Sequence, residues 1–155
     1  MHSGSLLFKN SYLNTDSKSF IRQIHYYQSI GLKGWYRCAK VVSPYLYAYV
    51  FFASGYSNSR PVNGQISISM SFRDIGASID KITMHGINII SSFRLVRDSS
   101  DDGVYIEFYY NRDDINSVDI VFISPYILGY KETISVISNV EETTSTSSEL
   151  AILTL

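Results

Sequence analysis

The fold of this chain is decided by the stretch Gln65-Ile66-Ser67-Ile68-Ser69-Met70-Ser71-Phe72-Arg73, in which every even-numbered residue is apolar and every odd-numbered residue is polar. Neighbouring side chains of a β-strand point to opposite faces, so this period of two places Ile66, Ile68 and Met70 in a core. In a helix the same apolar residues would be spread around the whole cylinder. The stretch therefore predicts a strand with one buried face and one solvated face.

Other segments repeat this pattern. Residues 104–110 alternate in the same way, and residues 118–123 are apolar on both faces for part of their length. Between strands, the loop 98–103 predicts a hairpin in which Gly103 takes a positive φ. The further segments that we predict as strands are residues 35–42, 46–53, 79–84, 89–97 and 133–139. About eight short strands with this spacing predict an all-β fold, an antiparallel, jelly-roll-like β-sandwich.

The chain divides into an N-terminal segment and one β domain. Residues 1–33 are sparser in apolar side chains, and we interpret them as a leader or docking segment that feeds one strand, near residues 20–27, into the domain. Residues 34–155 form the predicted β-sandwich head domain. Near its end, a loop rich in Thr, Ser and Glu, residues 141–149, precedes a last predicted strand at 150–155.

The composition argues against several classes of protein. Of the 155 residues, 45% are hydrophobic and 17% are charged, which is typical of one globular domain. With 13 basic and 14 acidic residues the net charge is −1, so we expect no binding to nucleic acid. No apolar run approaches the roughly 20 residues of a membrane-spanning helix, so we expect no membrane insertion. The single cysteine, Cys38, can form no intrachain disulfide and is expected to be a small buried apolar residue.

Residues that could carry catalysis are scattered. His2, His25 and His85 stand apart from one another, so we predict no metal site. The acidic pairs at 101–102, 113–114 and 141–142 are expected to be solvated turn residues that accept hydrogen bonds from backbone N–H groups. We therefore predict no catalytic residue, no cofactor and no enzymatic activity. The alternative, a small carbohydrate-active enzyme, would need Asp101 or Asp113 to face a cleft.

Aromatic residues are the most informative side chains, with 13 tyrosines and 8 phenylalanines. Alternation places Tyr105 and Tyr109 on the face opposite Ile106 and Phe108, so these tyrosines are candidate binding residues. Two interpretations of their face stay open. In one, the tyrosines are buried between the subunits of an oligomer. In the other, they form a platform on which sugar rings stack while polar side chains bond the sugar hydroxyls.

Two further groups of side chains are candidates for contacts. The loop that contains Tyr56, Asn58 and Arg60 joins two strands, and binding residues commonly lie on such loops, so we predict these three as ligand contacts. Trp35 and Arg37 share one strand face by alternation. We expect Trp35 to be a core or interface anchor, and not a residue that stacks on sugar.

Several segments follow one another in a distinctive order: Gly34-Trp35-Tyr36-Arg37-Cys38-Ala39-Lys40, residues 65–72, Phe93-Arg94-Leu95-Val96, residues 104–110, residues 118–122 and Val140-Glu141-Glu142. This order resembles a recurring C-terminal domain of bacteriophage and prophage tail fibres. In that group a Gly-Trp-Tyr-Arg box is followed by an alternating strand, a Phe-Arg-Val-like strand and a Tyr-rich strand. The resemblance covers residues 31–142, most of the chain.

The resemblance implies a β-sandwich head, usually homotrimeric, at the tip of a fibre on the surface of a virion that is made in the bacterial cytoplasm. Its implied partners are other virion proteins, bound through the N-terminal segment, and a polysaccharide or protein of the host cell surface. We therefore predict a non-enzymatic phage fibre head for host attachment. The alternative is a structural capsid-decoration, head-fibre or tail-assembly protein without receptor binding.

Overall fold

The computed structural model describes residues 21–43, 45–55, 62–71, 76–86, 89–125, 133–143 and 147–155. Within these residues the chain forms eleven strands in two antiparallel sheets that pack against each other. The strands are β1 Ile21–Ile30, β2 Gly34–Val41, β3 Tyr45–Gly55, β4 Val62–Ser71, β5 Gly76–His85, β6 Ile90–Asp98, β7 Val104–Tyr110, β8 Asn116–Pro125, β9 Ile134–Val136, β10 Glu142–Thr143 and β11 Ser147–Thr154. The predicted all-β, antiparallel sandwich is confirmed.

The first sheet has the strand order β1-β8-β3-β4-β5. Its central strand, β3, pairs with β8 on one side and with β4 on the other. In β4, Ile66, Ile68 and Met70 are buried, while the serines between them are only partly covered. The alternation at residues 65–71 therefore predicts correctly which side chains face the core.

The second sheet has the order β10-β2-β7-β6-β11, and the short strand β9 also pairs with β2. The pairing of β2 with β7 shifts between Arg37 and Ala39, so Cys38 lies in a β-bulge. Cys38 and Ala39 are both fully buried. The Cys38 thiol donates to the carbonyl oxygen of Ile106 at 3.3 Å, and burial raises the pKa of this thiol. The prediction that Cys38 is a buried apolar residue is confirmed.

Aromatic rings fill the middle of the layer between the sheets. The ring of Phe108 on β7 packs against Tyr26 of β1, with centroids 5.8 Å apart, and against Phe93 of β6 at 6.5 Å. Phe93 in turn packs on Phe52 of β3 at 5.0 Å. Burying a side chain of this kind contributes roughly 1.5–3 kcal/mol. Since the four rings come from both sheets, their contacts hold the two sheets together.

The structure corrects several element boundaries. The predicted strand at 133–139 is reduced to Ile134–Val136, and the last strand begins at Ser147 and not at residue 150. The strand expected near residues 20–27 exists as Ile21–Ile30 and pairs with β8 along its whole length. From residue 21 onward the segment 1–33 is therefore part of the sandwich, and its docking role stays a prediction.

The hairpin loop between β6 and β7 is confirmed, but the prediction about its glycine is wrong. The residue with positive φ in this loop is Asp102, at 57°, and not Gly103. Asp tolerates this left-handed region better than most residues do. The Gly103 N–H instead donates to the Asp101 carboxylate at 2.8 Å, which fixes the turn.

Candidate binding surface

The outward side of the first sheet carries a row of exposed aromatic rings. Alternation on β3 turns its even-numbered residues into the core and its odd-numbered residues outward. Tyr47, Tyr49 and Phe51 are 46%, 39% and 41% exposed although they lie on the central strand of the sheet. Tyr45 precedes them on the same side and is half-buried. The Tyr47 and Tyr49 rings meet edge to face with centroids 6.0 Å apart.

Apolar side chains continue this row toward β1. On β8, Val121 is the register partner of Phe51, and Ile123 is the register partner of Tyr49; both are half-buried. On β1, Tyr27 is 58% exposed. We call the set that consists of Tyr27, Tyr45, Tyr47, Tyr49, Phe51, Val121 and Ile123 the aromatic face.

A line of uncharged polar side chains borders the aromatic face on β4. Each is the register partner of an outward ring of β3: Gln65 of Phe51, Ser67 of Tyr49, Ser69 of Tyr47 and Ser71 of Tyr45. We call these four residues the polar row. The Ser69 hydroxyl lies 2.9 Å from the Ser78 hydroxyl of β5. Rings and hydrogen-bonding groups thus lie side by side on one face of a rigid sheet.

Two shallow depressions lie along the border between the aromatic face and the polar row. One, of about 370 Å³, is lined by Phe51, Gln65 and Thr83 among others. The other, of about 320 Å³, is lined by Tyr45, Tyr47 and Ser69 among others. They occupy opposite ends of the β3–β4 pair. Each therefore offers an aromatic ring and a polar side chain to the same occupant.

The two predicted binding residues on β7 lie on the outward side of the second sheet. Tyr105 is buried, its ring lies 3.9 Å from the Arg37 guanidinium, and its hydroxyl donates to the Asp101 carboxylate. That hydrogen bond raises the pKa of Tyr105. Tyr109 is half-buried and packs edge-on against Trp35 at 5.4 Å. The predicted side of the strand is confirmed for both tyrosines, while their role in binding stays a prediction.

Between these tyrosines lies a cluster of buried charges. The Glu107 carboxylate has no exposed surface, and it accepts hydrogen bonds from Arg37 Nε at 2.9 Å and from Arg94 Nε at 2.8 Å. Arg37 also forms an ion pair with Asp98. Hydrogen bonds from Ser100 and from Arg37 lower the pKa of Asp98 to about 2. We call Arg37, Arg94, Asp98 and Glu107 the ion cluster.

Trp35 acts as an anchor for the ion cluster. The Arg94 guanidinium lies 3.9 Å from the centre of the Trp35 ring. A guanidinium over an indole is attracted by the negative face of the ring. With Tyr109 on its edge and Arg94 on its face, Trp35 is half-buried on the outward side of the second sheet and is not part of the core, so its role as an interface anchor stays a prediction.

The other predicted site residues lie elsewhere. Tyr56, Asn58 and Arg60 fall outside the described residues, so their predicted role as ligand contacts is untested. The acidic side chains of the two turns are partnered locally. Asp101 accepts from the Gly103 N–H, and Asp114 accepts from Arg112 Nε at 2.8 Å. In the part of the chain that the structure describes, no group of three or more His, Cys, Asp or Glu residues could hold a metal ion.

The aromatic face is a surface that the sequence analysis did not select as a site. The segment Tyr45-Leu46-Tyr47-Ala48-Tyr49-Val50-Phe51-Phe52 is apolar at every position, so it lacks the alternation that separates a buried face from a solvated one. The available signal was that all its odd-numbered residues are aromatic. Pairing with the strongly alternating β4 then determines that these rings point away from the core.

Comparison with known proteins gives no relative for this chain. No family model matches it, and neither a curated protein nor a solved structure matches it. Among the described residues there is also no helix of the length and apolarity that crossing a membrane requires. Function is therefore inferred from the surfaces described above and from the resemblance in the sequence.

Proposed function

We propose that this chain is a non-enzymatic adhesion module of a phage particle, a fibre head that attaches to a glycan of the host cell surface. The proposal combines the Gly-Trp-Tyr-Arg resemblance with one observation of the structure. That observation is the aromatic face beside the polar row, on the flat outward side of the first sheet.

The chemistry of this surface suits a sugar. A pyranose ring has apolar C–H faces and hydroxyl groups at its rim, so it needs a flat apolar partner and hydrogen-bonding groups around it. Tyr49 offers an exposed ring, and its register partner Ser67 offers a hydroxyl that both donates and accepts. Tyrosine hydroxyls add further donors at the rim of the same surface.

Attachment by such a surface would depend on repeated weak contacts. The exposed rings contact water when no ligand is bound, so a single site binds a sugar with modest affinity. In the proposed homotrimer on a fibre, a second and third site bind at a high effective concentration once the first is occupied. Avidity of this kind suits a receptor that is itself a repeating polymer.

The other candidate is a structural virion protein, such as a capsid-decoration or tail-assembly protein. The same exposed rings support this candidate, because exposed apolar surface marks protein contacts as well as ligand sites. In that case the aromatic face is covered by a neighbouring protein in the particle, and substitutions of Tyr47 or Phe51 disturb assembly while adsorption per assembled particle is unchanged.

An array of bacterial surface polysaccharides, probed with the purified chain, tests the adhesion proposal. We expect binding above background to at least one polysaccharide and no release of shorter fragments from it. A protein that binds none of them, or that cleaves the one it binds, contradicts the proposal. Substituting Asp101→Asn and Asp113→Asn separately completes the test, because loss of cleavage in either variant would support the carbohydrate-active enzyme instead.

A further inference from the structure

The described outward side chains of the first sheet carry almost no formal charge. Among the described side chains that point outward from its three central strands, β8, β3 and β4, the only charged one is Asp119, which contacts His25 of β1. The polar row consists of three serines and one glutamine. The edge strand β5 adds Asp80, the register partner of Ser67. Among these described outward side chains the fixed charges are therefore carboxylates, while the exposed Lys81 of β5 pairs with the inward Ile66.

This distribution of charge affects the binding of neutral and acidic glycans differently. A polymer with uronic acid, sialic acid or phosphate groups would have to shed water from its anions without meeting a cation among the described outward side chains of these strands, and it would also approach Asp80 and Asp119. A neutral polymer has neither anions to desolvate nor repulsion from these carboxylates. From this charge pattern we infer that the surface takes a neutral polysaccharide, an inference that rests on the proposed function and narrows it to one class of ligand.

The two depressions give the orientation of the bound chain. Phe51 lines one depression and Tyr47 the other, and the two residues are four positions apart on β3, about 13 Å along the strand. Tyr49 and Ser67 lie between them. One sugar ring is much shorter than this separation. The ligand is therefore a chain of several sugar units that runs along β3 and fills both depressions.

The competing occupant of the same face is a second copy of this chain. Flat sheet faces with exposed rings also pair with each other, and such pairing would hide Tyr47 and Phe51 from any glycan. The lack of charge alone does not discriminate between a glycan and a second copy of the chain. Measuring the mass of the wild-type protein and of Phe51→Ala in solution discriminates between them. Loss of self-association in that variant would overturn the glycan inference.

Two binding series on the polysaccharides from the array test the inference. The first compares neutral polysaccharides with acidic ones, each uronic or sialic acid polymer also in its carboxyl-reduced, neutral form. We expect the tightest ligands to be neutral, carboxyl reduction to improve binding, and affinity for the neutral ligand to be the same at low and high salt. If the tightest ligands are acidic, the inference is overturned while the proposed adhesion function stands.

The second series uses oligosaccharides of increasing length, cut from the tightest ligand. We expect affinity to rise by at least about tenfold from the single sugar to a chain that reaches both depressions, and Tyr47→Ala and Phe51→Ala each to remove that gain. A single sugar that binds as tightly as the longer chains contradicts the extended orientation. If no polysaccharide binds at all, both the proposed function and this inference fail, which is a different outcome from binding with the wrong charge or length preference.

Discussion

Arg37 of β2 and Glu107 of β7 are register partners, and the Arg37 Nε donates to the Glu107 Oε2 at 2.9 Å on a carboxylate with no exposed surface. Arg94 of β6 donates to the other carboxylate oxygen at 2.8 Å. One buried acid thus links three adjacent strands of the second sheet. Buried charges of this kind are costly to leave unpaired, so the ion cluster is expected to behave as a unit.

Replacing Glu107 should destabilise the fold strongly. In Glu107→Ala, Arg37 and Arg94 lose the acid between them and keep their charges in a covered place. We expect the free energy of unfolding to fall by about 3–5 kcal/mol in urea titration. Glu149→Ala on β11 is the control, because Glu149 is exposed, and it should change stability by no more than about 0.5 kcal/mol. Equal effects of the two substitutions would contradict the account of the cluster.

Asp98 should make stability sensitive to acid. Hydrogen bonds from Ser100 and from Arg37 lower its pKa from 3.8 to about 2 in the folded state. A carboxylate with a lowered folded pKa stabilises the fold above its unfolded pKa, and this contribution is lost as the pH falls from about 4 to about 2. We expect unfolding free energy to decline over that range and to decline less in Asp98→Asn.

The control for this pH profile is Asp102→Asn. Asp102 lies in the same loop, but its side chain is 85% exposed and lies outside the ion cluster. Its substitution should leave the acid dependence of the wild type in place. An Asp98→Asn profile that follows the wild-type curve throughout would contradict the role given to Asp98.

The free energy of unfolding should distinguish aromatic residues of the core from those on the outward side of the first sheet. Phe108 lies between the sheets against Tyr26 and Phe93, so Phe108→Ala should cost about 3–5 kcal/mol of unfolding free energy. Phe51 points outward and is 41% exposed, so its replacement by alanine should cost clearly less, about 1 kcal/mol. If Phe51→Ala destabilises the protein as much as Phe108→Ala does, the outward side of β3 is wrongly assigned.

Cys38 should be unreactive in the native protein. It is fully buried in the bulge of β2, and burial raises the pKa of its thiol, so the reactive thiolate is disfavoured. At neutral pH we expect an aromatic disulfide reagent to label Cys38 only after unfolding in urea. Immediate labelling of the folded protein in one equivalent would place Cys38 at the surface and contradict the bulge.

The sequence predicts this fold well wherever a strand has one buried and one solvated face. The stretch at residues 65–71 predicts both the buried and the partly covered side chains, whereas the run at 104–110 predicts the inward residues but not that Tyr105 and Glu107 are buried as well. The two-residue strand β10 and the three-residue strand β9 were not predicted at these bounds, since elements of that length owe their pairing to β2 rather than to their own pattern.

The binding surface was harder to predict for a physical reason. On β7 the alternation predicts correctly that Tyr105 is an outward residue, but it carries no information that Arg37 and Asp101 cover this side chain. On β3 both faces are apolar, so the outward rings look the same as core residues until the partner strand is known. Tertiary neighbours, and not local pattern, determine which tyrosines are exposed.

The proposed role of the aromatic face is to bind a host glycan. The most direct test compares the affinity of wild-type protein, Tyr47→Ala and Phe51→Ala for the polysaccharide identified on the array, by calorimetry. Ile115→Ala is the matched control, because Ile115 is an apolar residue that is 78% exposed and lies outside the aromatic face. We predict at least about a tenfold loss of affinity in each aromatic variant and none in the control. Wild-type affinity in both aromatic variants, with their folds intact, would contradict the claim.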